Sequence, residues 1–512
     1  MFKFTNSKKL PLWVKNSYPI AQLFFFSISP ILYLFSNNTD QATVKELVFP
    51  IILSLSFSLL LFRAALYTLG KIKAALFVSL FNILFFSYGH LKTSLGEIRL
   101  TLNFSKDEIL LPIFVLTLLS AFFFLWKSKK ALAPLAKLIS NLGLLLIIFA
   151  LFNTFSTSLK NGFPKWEEKE PTSASELKTR VSNQPDIYYL ILDGYANEKI
   201  LKSGYKFDNA SFLDSLSNRG FYIAHDSRSN YPLTLLSLSS SMNMNYLDFI
   251  DDKNLTDQEK RRKAYLGIRN GELPKFLKAM GYTFLDIGTG WVGTDHNQYA
   301  HEVIKYPQRT EFIKLLFSTS ALTLIERYQN DAAKSILYAF DQIEKISKRK
   351  ESTFTFAHII SPHPPYLFDE AGNILAQPEK DIGVFKLWKQ KDSYISQLKF
   401  INKKVLSLVE QILKNSPQPP LIVIQSDHGP TTMDQFFLPL ESLTEEQTNE
   451  RFGILNAYYL PAGGQRQLTQ TISPVNSFRK ILNFYFGGNF KTLEDKHYFT
   501  GYSDFQEAVK FD

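Results

Sequence analysis

Leu421-Ile422-Val423-Ile424-Gln425-Ser426-Asp427-His428-Gly429-Pro430 is an apolar run that stops abruptly in a carboxylate, an imidazole and a Gly-Pro turn. Ile187-Tyr188-Tyr189-Leu190-Ile191-Leu192, followed by Asp193-Gly194-Tyr195, repeats the arrangement far upstream. Continuous apolar runs mark buried parallel strands, and open α/β sheets place ligands just beyond the carboxyl ends of their strands. Asp193, Asp427 and His428 are therefore oxygen and nitrogen donors placed to converge on one cation. Taken singly, Asp193-Gly194 also reads as a plain turn.

Outward from these runs, the apolar residues are unevenly spread. Five stretches, 18–35, 48–68, 72–90, 109–126 and 138–156, approach the roughly 20 mostly apolar residues that a bilayer crossing needs. A signal peptide is a poor alternative for the first, because four more spans follow it. Lys3, Lys8, Lys9 and Lys15, then Arg63, Lys71 and Lys73, then Lys127, Lys129, Lys130 and Lys137 fall in alternate loops without acids. The other two loops mix Lys45, Lys92, Arg99 and Lys106 with Asp40, Glu46, Glu97, Asp107 and Glu108. The positive-inside rule puts the N-terminus in the cytoplasm, and an odd number of spans puts everything after residue 157 outside.

The same residues account for the basic balance. The whole chain carries +10, and these fifteen bases against five acids supply all of it, so the rest is electroneutral. A nucleic-acid partner calls for a basic patch or stripe, and the high pI lends it no support. Within the spans the charged or imidazole side chains are Arg63, Lys73 and His90, all near span ends. That favours an anchor or lipid-handling platform over a transporter, which needs polar groups inside the membrane. Cysteine is absent.

Residues 157–185 read as a polar linker, and 186–512 as one extracytoplasmic domain. Strands are expected at 187–192, 221–224, 282–287, 353–360, 421–425 and 455–460. Helices are expected at 208–219, 233–243, 272–280, 333–349, 393–414 and 475–484. Such alternation predicts an α/β fold with a mostly parallel sheet flanked by helices.

Other segments carry chemistry. In Ser229-Asn230-Tyr231-Pro232-Leu233-Thr234, Pro232 sits at or near a helix start. Thr234 then lies in the first turn, where free N–H groups and the macrodipole favour negative charge. A hydroxyl there becomes a nucleophile when a metal lowers its pKa; the plain alternative is an ordinary first-turn Thr, and Ser237 is a weaker rival. In His358-Ile359-Ile360-Ser361-Pro362-His363-Pro364-Pro365-Tyr366, His363 stands between prolines, suited to binding an ester oxygen or protonating a leaving group. His358, inside the apolar run, reads as a core histidine. Trp291 and His296, after the strand at 282–287, are substrate-contact candidates, with surface packing as the alternative.

These pieces, in this order over roughly residues 185–485, resemble the sulfatase/alkaline-phosphatase superfamily. The five spans in front resemble its membrane-anchored lipoteichoic-acid-synthase and phosphoethanolamine-transferase branch. The resemblance implies a divalent metal held by Asp193, Thr234, Asp427 and His428, with His363 contacting the phosphate. Sulfatases proper convert a Cys or Ser in a Cys/Ser-x-Pro-x-Arg motif to formylglycine. This chain has no Cys, and Leu233-Thr234-Leu235 follows Pro232 with no Arg at the expected place. Sulfate-ester hydrolysis by that route is therefore not implied. Asp193 stands where the lipoteichoic-acid synthases carry Glu, and a second full set of metal ligands is not evident.

The resulting expectation is a metal-dependent phosphotransferase or phosphodiesterase at the outer face of the cytoplasmic membrane. Thr234 is the expected nucleophile toward a membrane lipid's headgroup phosphoester, with an envelope glycan or lipid as acceptor. One divalent cation, manganese, zinc or magnesium, is the expected cofactor. The competing expectation is a catalytically silent envelope protein that binds glycan or protein partners.

Overall fold

The computed structural model describes residues 18–39, 42–95, 106–160, 184–325, 331–375, 384–438, 442–502, 505 and 509–511. It divides into two compact units, Met1–Trp166 with Arg309–Arg327, and Glu167–Gln308 with Tyr328–Asp512. Most of the expected linker, 161–183, lies outside the described residues.

The first unit holds α1 (Tyr18–Ser36), α2 (Val44–Leu69), α3 (Lys71–Leu95), α4 (Lys106–Lys127) and α5 (Ala133–Lys160). Each is long and apolar enough to cross a membrane. Helix is the form these runs must take in hydrocarbon, where every backbone N–H and C=O needs a partner within its own segment. Small polar side chains tie the helices together. Gln22 Nε2 donates to Ser79 Oγ at 2.8 Å, Ser27 Oγ to Ser58 Oγ at 2.7 Å, and Asn82 Nδ2 to Ser58 Oγ at 3.0 Å.

The second unit opens with β1 (Ile187–Leu192), α6 (Glu198–Tyr205), α7 (Ala210–Ser217), β2 (Tyr222–Ile223) and α8 (Thr234–Asn243). Next come α9 (Asp257–Arg269), α10 (Glu272–Ala279), β3 (Thr283–Gly288) and β4 (Glu302–Lys305). The chain then passes to the first unit for α11 (Glu311–Thr319). It returns as α12 (Asp331–Ile346), β5 (Thr353–Ile359), α13 (Val384–Trp388), α14 (Lys391–Asn415) and β6 (Leu421–Gln425). Last are α15 (Glu445–Phe452), β7 (Asn456–Tyr459), α16 (Pro474–Phe486), β8 (His497–Phe499) and β9 (Val509–Phe511). Within the first unit α11 packs its Phe312 edge-on against Phe35, with ring centroids 6.3 Å apart, and Thr310 Oγ1 donates to Glu46 Oε2 at 2.6 Å.

The sheet runs β2-β7-β6-β1-β5-β3-β4. From β6 to β4 every pair is parallel, while β7 runs antiparallel to both β6 and β2. This is the expected α/β architecture. Alternation along β1 serves both faces. Tyr188, Leu190 and Leu192 join a core with α6, α7, α12 and α14, and Ile187, Tyr189 and Ile191 join another with α8, α10 and α16. In register, Ile191 lies opposite both His358 on β5 and Gln425 on β6. Three neighbouring strands therefore end level, at one edge of the sheet.

Candidate active site

The loops after these three strand ends are tied together by hydrogen bonds in which backbone groups take part throughout. Asp193 N–H donates to the Ile359 carbonyl at 3.0 Å, and the Asp193 carbonyl accepts from His363 N–H at 3.0 Å. Gly194 N–H donates to Asp427 Oδ1 at 3.1 Å, which binds the loop after β1 to the loop after β6. Ser426 Oγ accepts from Tyr195 N–H and donates to the His428 carbonyl, both at 2.8 Å. Ser237 Oγ, fully buried one turn into α8, donates to the Asp427 carbonyl at 2.7 Å. That hydroxyl is committed to the loop.

The side chains meet. One ligand-capable atom each from Asp193, His358 and Asp427 lies within 4.8 Å of the other two. His358 Nε2 is 3.3 Å from Asp193 Oδ2, and His428 Nε2 is 3.3 Å from Asp427 Oδ2 and 3.6 Å from Asp193 Oδ1. Thr234 Oγ1, on the first residue of α8, is 3.0 Å from His428 Nε2. Pro232 stands two residues ahead of that helix rather than in its first turn, and Leu233 takes the cap position. Asp193, Thr234, Asp427 and His428, dispersed over the sequence, are thus brought together.

Three buried atoms here, Asp193 Oδ1, Asp427 Oδ2 and His358 Nε2, have no hydrogen-bond partner. Buried polar groups are almost always paired, and three unpaired atoms around one point could hold a cation. Two carboxylates and neutral imidazoles are suitable donors for a divalent metal.

Electrostatics give each group a state. Burial would raise the Asp193 carboxyl, but the surrounding His363, His358 and His428 outweigh it and hold it well below the usual carboxylate range. Burial and the Asp193 charge push the Asp427 carboxyl up to about 7. Two buried carboxyls so close share one proton. Burial, then the Arg451 charge, hold the His428 imidazole well below its ordinary value, so it is neutral. Its Nδ1 lies 3.0 Å from the Gly429 carbonyl, which can only accept, and this leaves the Nε2 lone pair facing Thr234 and the carboxylates.

His363 lies at the mouth, half-buried, with its ring 6.2 Å from that of His428 and edge-on to Trp388 at 4.9 Å. Trp291 sets its ring edge-on to His358 at 5.4 Å and so forms part of the wall. His296, on the same loop, is exposed and lies near the charges of Arg269 and Lys305.

The structure adds two residues to the site. His358 is buried, as a core histidine should be, but it is not satisfied: Nδ1 meets Thr294 Oγ1 at 3.0 Å while Nε2 is left facing Asp193. Its level register with Ile191, two residues before Asp193, puts it there. Arg451 is also buried. Its Nε donates to the Pro232 carbonyl at 2.6 Å and its Nη1 to the Gly429 carbonyl at 2.5 Å, while Gly429 N–H donates back to the Arg451 carbonyl at 2.7 Å. Burial pulls the guanidinium down to about 10 against Asp427 and Asp193, so it stays charged at neutral pH.

This packing leaves no room beside Gly429, where a Cβ would lie 2.0 Å from the Glu450 carbonyl oxygen. Gly429→Ala is expected to shift the Asp427-His428 loop and to destabilise the second unit by about 2 kcal/mol, the usual range for overpacking. Thermal melting of the purified chain checks this; an unchanged melting temperature would refute the tight approach.

A sulfatase family model matches residues 185–482, more than half of the chain, and the protein belongs to the sulfatase family. No curated protein sequence matches it. Among solved structures it is similar to the C-terminal periplasmic domain of EcEptC from Escherichia coli, at 12% identity and a TM-score of 0.40, covering 65% of this chain and 93% of that one. The phosphonate monoester hydrolase of Agrobacterium radiobacter shows 12% identity and a TM-score of 0.41, over 62% and 80% of the two chains. For the soluble domain of lipooligosaccharide phosphoethanolamine transferase A from Neisseria meningitidis the values are 16% and 0.37, over 59% and 88%.

Proposed function

We propose that this sulfatase-family protein is a divalent-metal-dependent phosphotransferase or phosphodiesterase acting on lipid-headgroup phosphoesters. The N-terminus lies in the cytoplasm and the second unit at the outer face of the cytoplasmic membrane, a reading that the alternation of basic loops supports. The observation that carries the enzymatic reading is the convergence of Asp193 Oδ1, Asp427 Oδ2 and His358 Nε2, all buried and unpaired, beside His428 and the hydroxyl of Thr234. Asp193, Asp427, His428 and Thr234 would hold the cation, with His358 as a further donor. That donor set suits manganese or zinc better than magnesium. Once bound, a divalent cation neutralises phosphate oxygens and lowers the pKa of a hydroxyl it holds.

The chain's own residues do the rest. The Thr234 hydroxyl gives up its proton to solvent; its Oγ forms the bond to phosphorus as the bond from phosphorus to the lipid glycerol oxygen breaks, and His363 supplies the proton that oxygen needs. A glycan or lipid hydroxyl, or water, then bonds to the same phosphorus as its bond to Thr234 Oγ breaks, and the acceptor's proton returns to Oγ, so the headgroup phosphoryl leaves on the acceptor. Trp291 lines the substrate side of His358, and His296 is a more distant substrate contact.

The test is headgroup release from fluorescent phospholipid vesicles by the full chain with manganese. A carefully purified chain that neither binds manganese nor melts higher with it would sink the reading. The pH dependence is specific. Asp427, held above the carboxylate norm of about 4, favours the metal-free folded state at low pH, and that contribution is lost as pH rises toward about 7. Asp193 has the opposite sign, and its contribution is lost on acidification through the lower range. A cation must displace the shared proton, so manganese affinity should climb about tenfold per pH unit between roughly pH 5 and 7 and then level off. Calorimetry in buffers of different ionisation enthalpy reads the released proton; binding without release contradicts the shared-proton state.

A further inference from the structure

Large apolar side chains exposed singly on a soluble surface need no explanation, but clusters do. Among the described residues of the second unit five are exposed: Leu266, Phe437, Leu438, Phe484 and Tyr502. Two of them, Phe437 at 64% and Tyr502 at 47% exposure, meet in one patch through Phe385, and Leu438 at 39% follows Phe437 in the chain. Phe385 of α13 joins it, with ring centroids 4.7 Å from Phe437 and 5.0 Å from Tyr502. Phe436 closes the floor, 5.7 Å from Tyr502. Outside the patch, Phe484 is the other large aromatic side chain exposed among the described residues of this unit.

The patch is continuous with the candidate active site. Three residues beyond Phe385 on α13, Trp388 sets its ring against His363. Phe436 lies under the Arg451 guanidinium at 5.0 Å, and that guanidinium holds the Gly429 carbonyl. Lys386 and Lys389 are exposed on and just after α13, with Lys389 paired to Asp434 at 2.6 Å. Aromatic rings with lysines close by in the chain match the lipid–water interface, where rings settle at headgroup depth and lysine stems snorkel outward. The chain's own five apolar helices bring such an interface into the molecule's surroundings.

We propose that this aromatic patch docks the second unit onto the interfacial region of the lipid bilayer and thereby presents headgroup phosphoesters to the cluster around Thr234. The presentation, though not the docking, rests on the phosphotransfer reading above. Phe437 and Tyr502 enter the headgroup layer, and their removal weakens use of lipids held in a bilayer while sparing substrates free in water.

The absence of cysteine allows a direct test with the full chain. Phe437→Cys and Leu266→Cys each create a single thiol for a nitroxide, read in nanodiscs of phosphatidylethanolamine and phosphatidylglycerol. Collision with oxygen relative to a water-soluble nickel chelate should be roughly threefold higher at 437 than at 266, as for a side chain in the headgroup layer. Equal, water-like ratios overturn the docking, and so does dipolar broadening that appears when two copies share a disc, which would make the patch a dimer contact. Separately, Phe437→Ser/Tyr502→Ser should lower release from vesicle lipid roughly tenfold, the loss of two buried aromatic anchors, and leave hydrolysis of bis(p-nitrophenyl) phosphate unchanged. Equal loss on both substrates also overturns it. If the wild-type chain turns over neither substrate while position 437 reports lipid, the phosphotransfer reading fails and the docking stands.

Discussion

Thr234→Ala should reduce headgroup release by about 10³-fold or more, as loss of a covalent nucleophile does. The hydroxyl sits on the first residue of α8, where backbone N–H groups are free to meet negative charge. Its neighbour at 3.0 Å is the lone-pair nitrogen of a neutral His428. Ser237, one turn on, cannot replace it, because its hydroxyl is spent on the Asp427 carbonyl. Since Thr234 is half-buried and its hydroxyl bonds the side chains of His428 and Asp427, the alanine variant should lose about 1–2 kcal/mol of stability at most. Thr234→Ser keeps the nucleophile and should stay within about tenfold of the parent. Mass spectrometry of protein quenched during turnover reads the other half of the claim: a phosphoryl-linked mass on the Thr234 peptide, missing in the alanine variant. Release at the parental rate by Thr234→Ala would remove Thr234 from the chemistry.

Much of this geometry could be read from the residues, and the reasons are local. β1 and β6 lie in the sheet's centre, so they are apolar on both faces, and their first polar residues fall at the strand ends where ligands gather. Pro232 just ahead of an apolar helix pattern marked the start of α8 within two residues. His358 was hidden by the same feature that exposed Asp193 and Asp427. In a strand buried on both faces, periodicity does not say which way a side chain looks, and a histidine there resembles any satisfied core group. β4 reads Glu-Val-Ile-Lys at the sheet edge, too short and polar to register as a strand, and α9 is so rich in Arg and Lys that its apolar stripe is faint. The passage of α11 to the first unit has no local signature, since nine residues are far short of a span.

Arg451 was illegible for a different reason, and it carries the second large prediction. It sits in Glu445-Glu446-Gln447-Thr448-Asn449-Glu450-Arg451-Phe452, a stretch that reads as a solvated surface. Its burial comes from partners remote in sequence: the Pro232 carbonyl ahead of the Thr234 helix and the Gly429 carbonyl behind the Asp427-His428 pair. One guanidinium thus fixes the spacing between the hydroxyl and the imidazole, and its charge offsets two carboxyls that would otherwise repel. A planar fork is suited to bridging two carbonyls; an ammonium on a flexible stem is not. Arg451→Met keeps much of the volume but strands both carbonyls, and each lost charge-assisted bond costs about 1.5–3 kcal/mol. The variant should therefore melt markedly lower, and the loop shift should cut kcat about 10²-fold even where it folds. Arg451→Lys separates charge from geometry. It should recover part of the melting temperature, because the charge beside the two carboxyls is kept, while kcat stays low because two carbonyls are no longer held at a fixed distance. If Arg451→Met keeps the parental kcat once folded, the clamp is structural support alone, and the alignment of Thr234 with His428 must come from Ser237 and the α8 backbone instead.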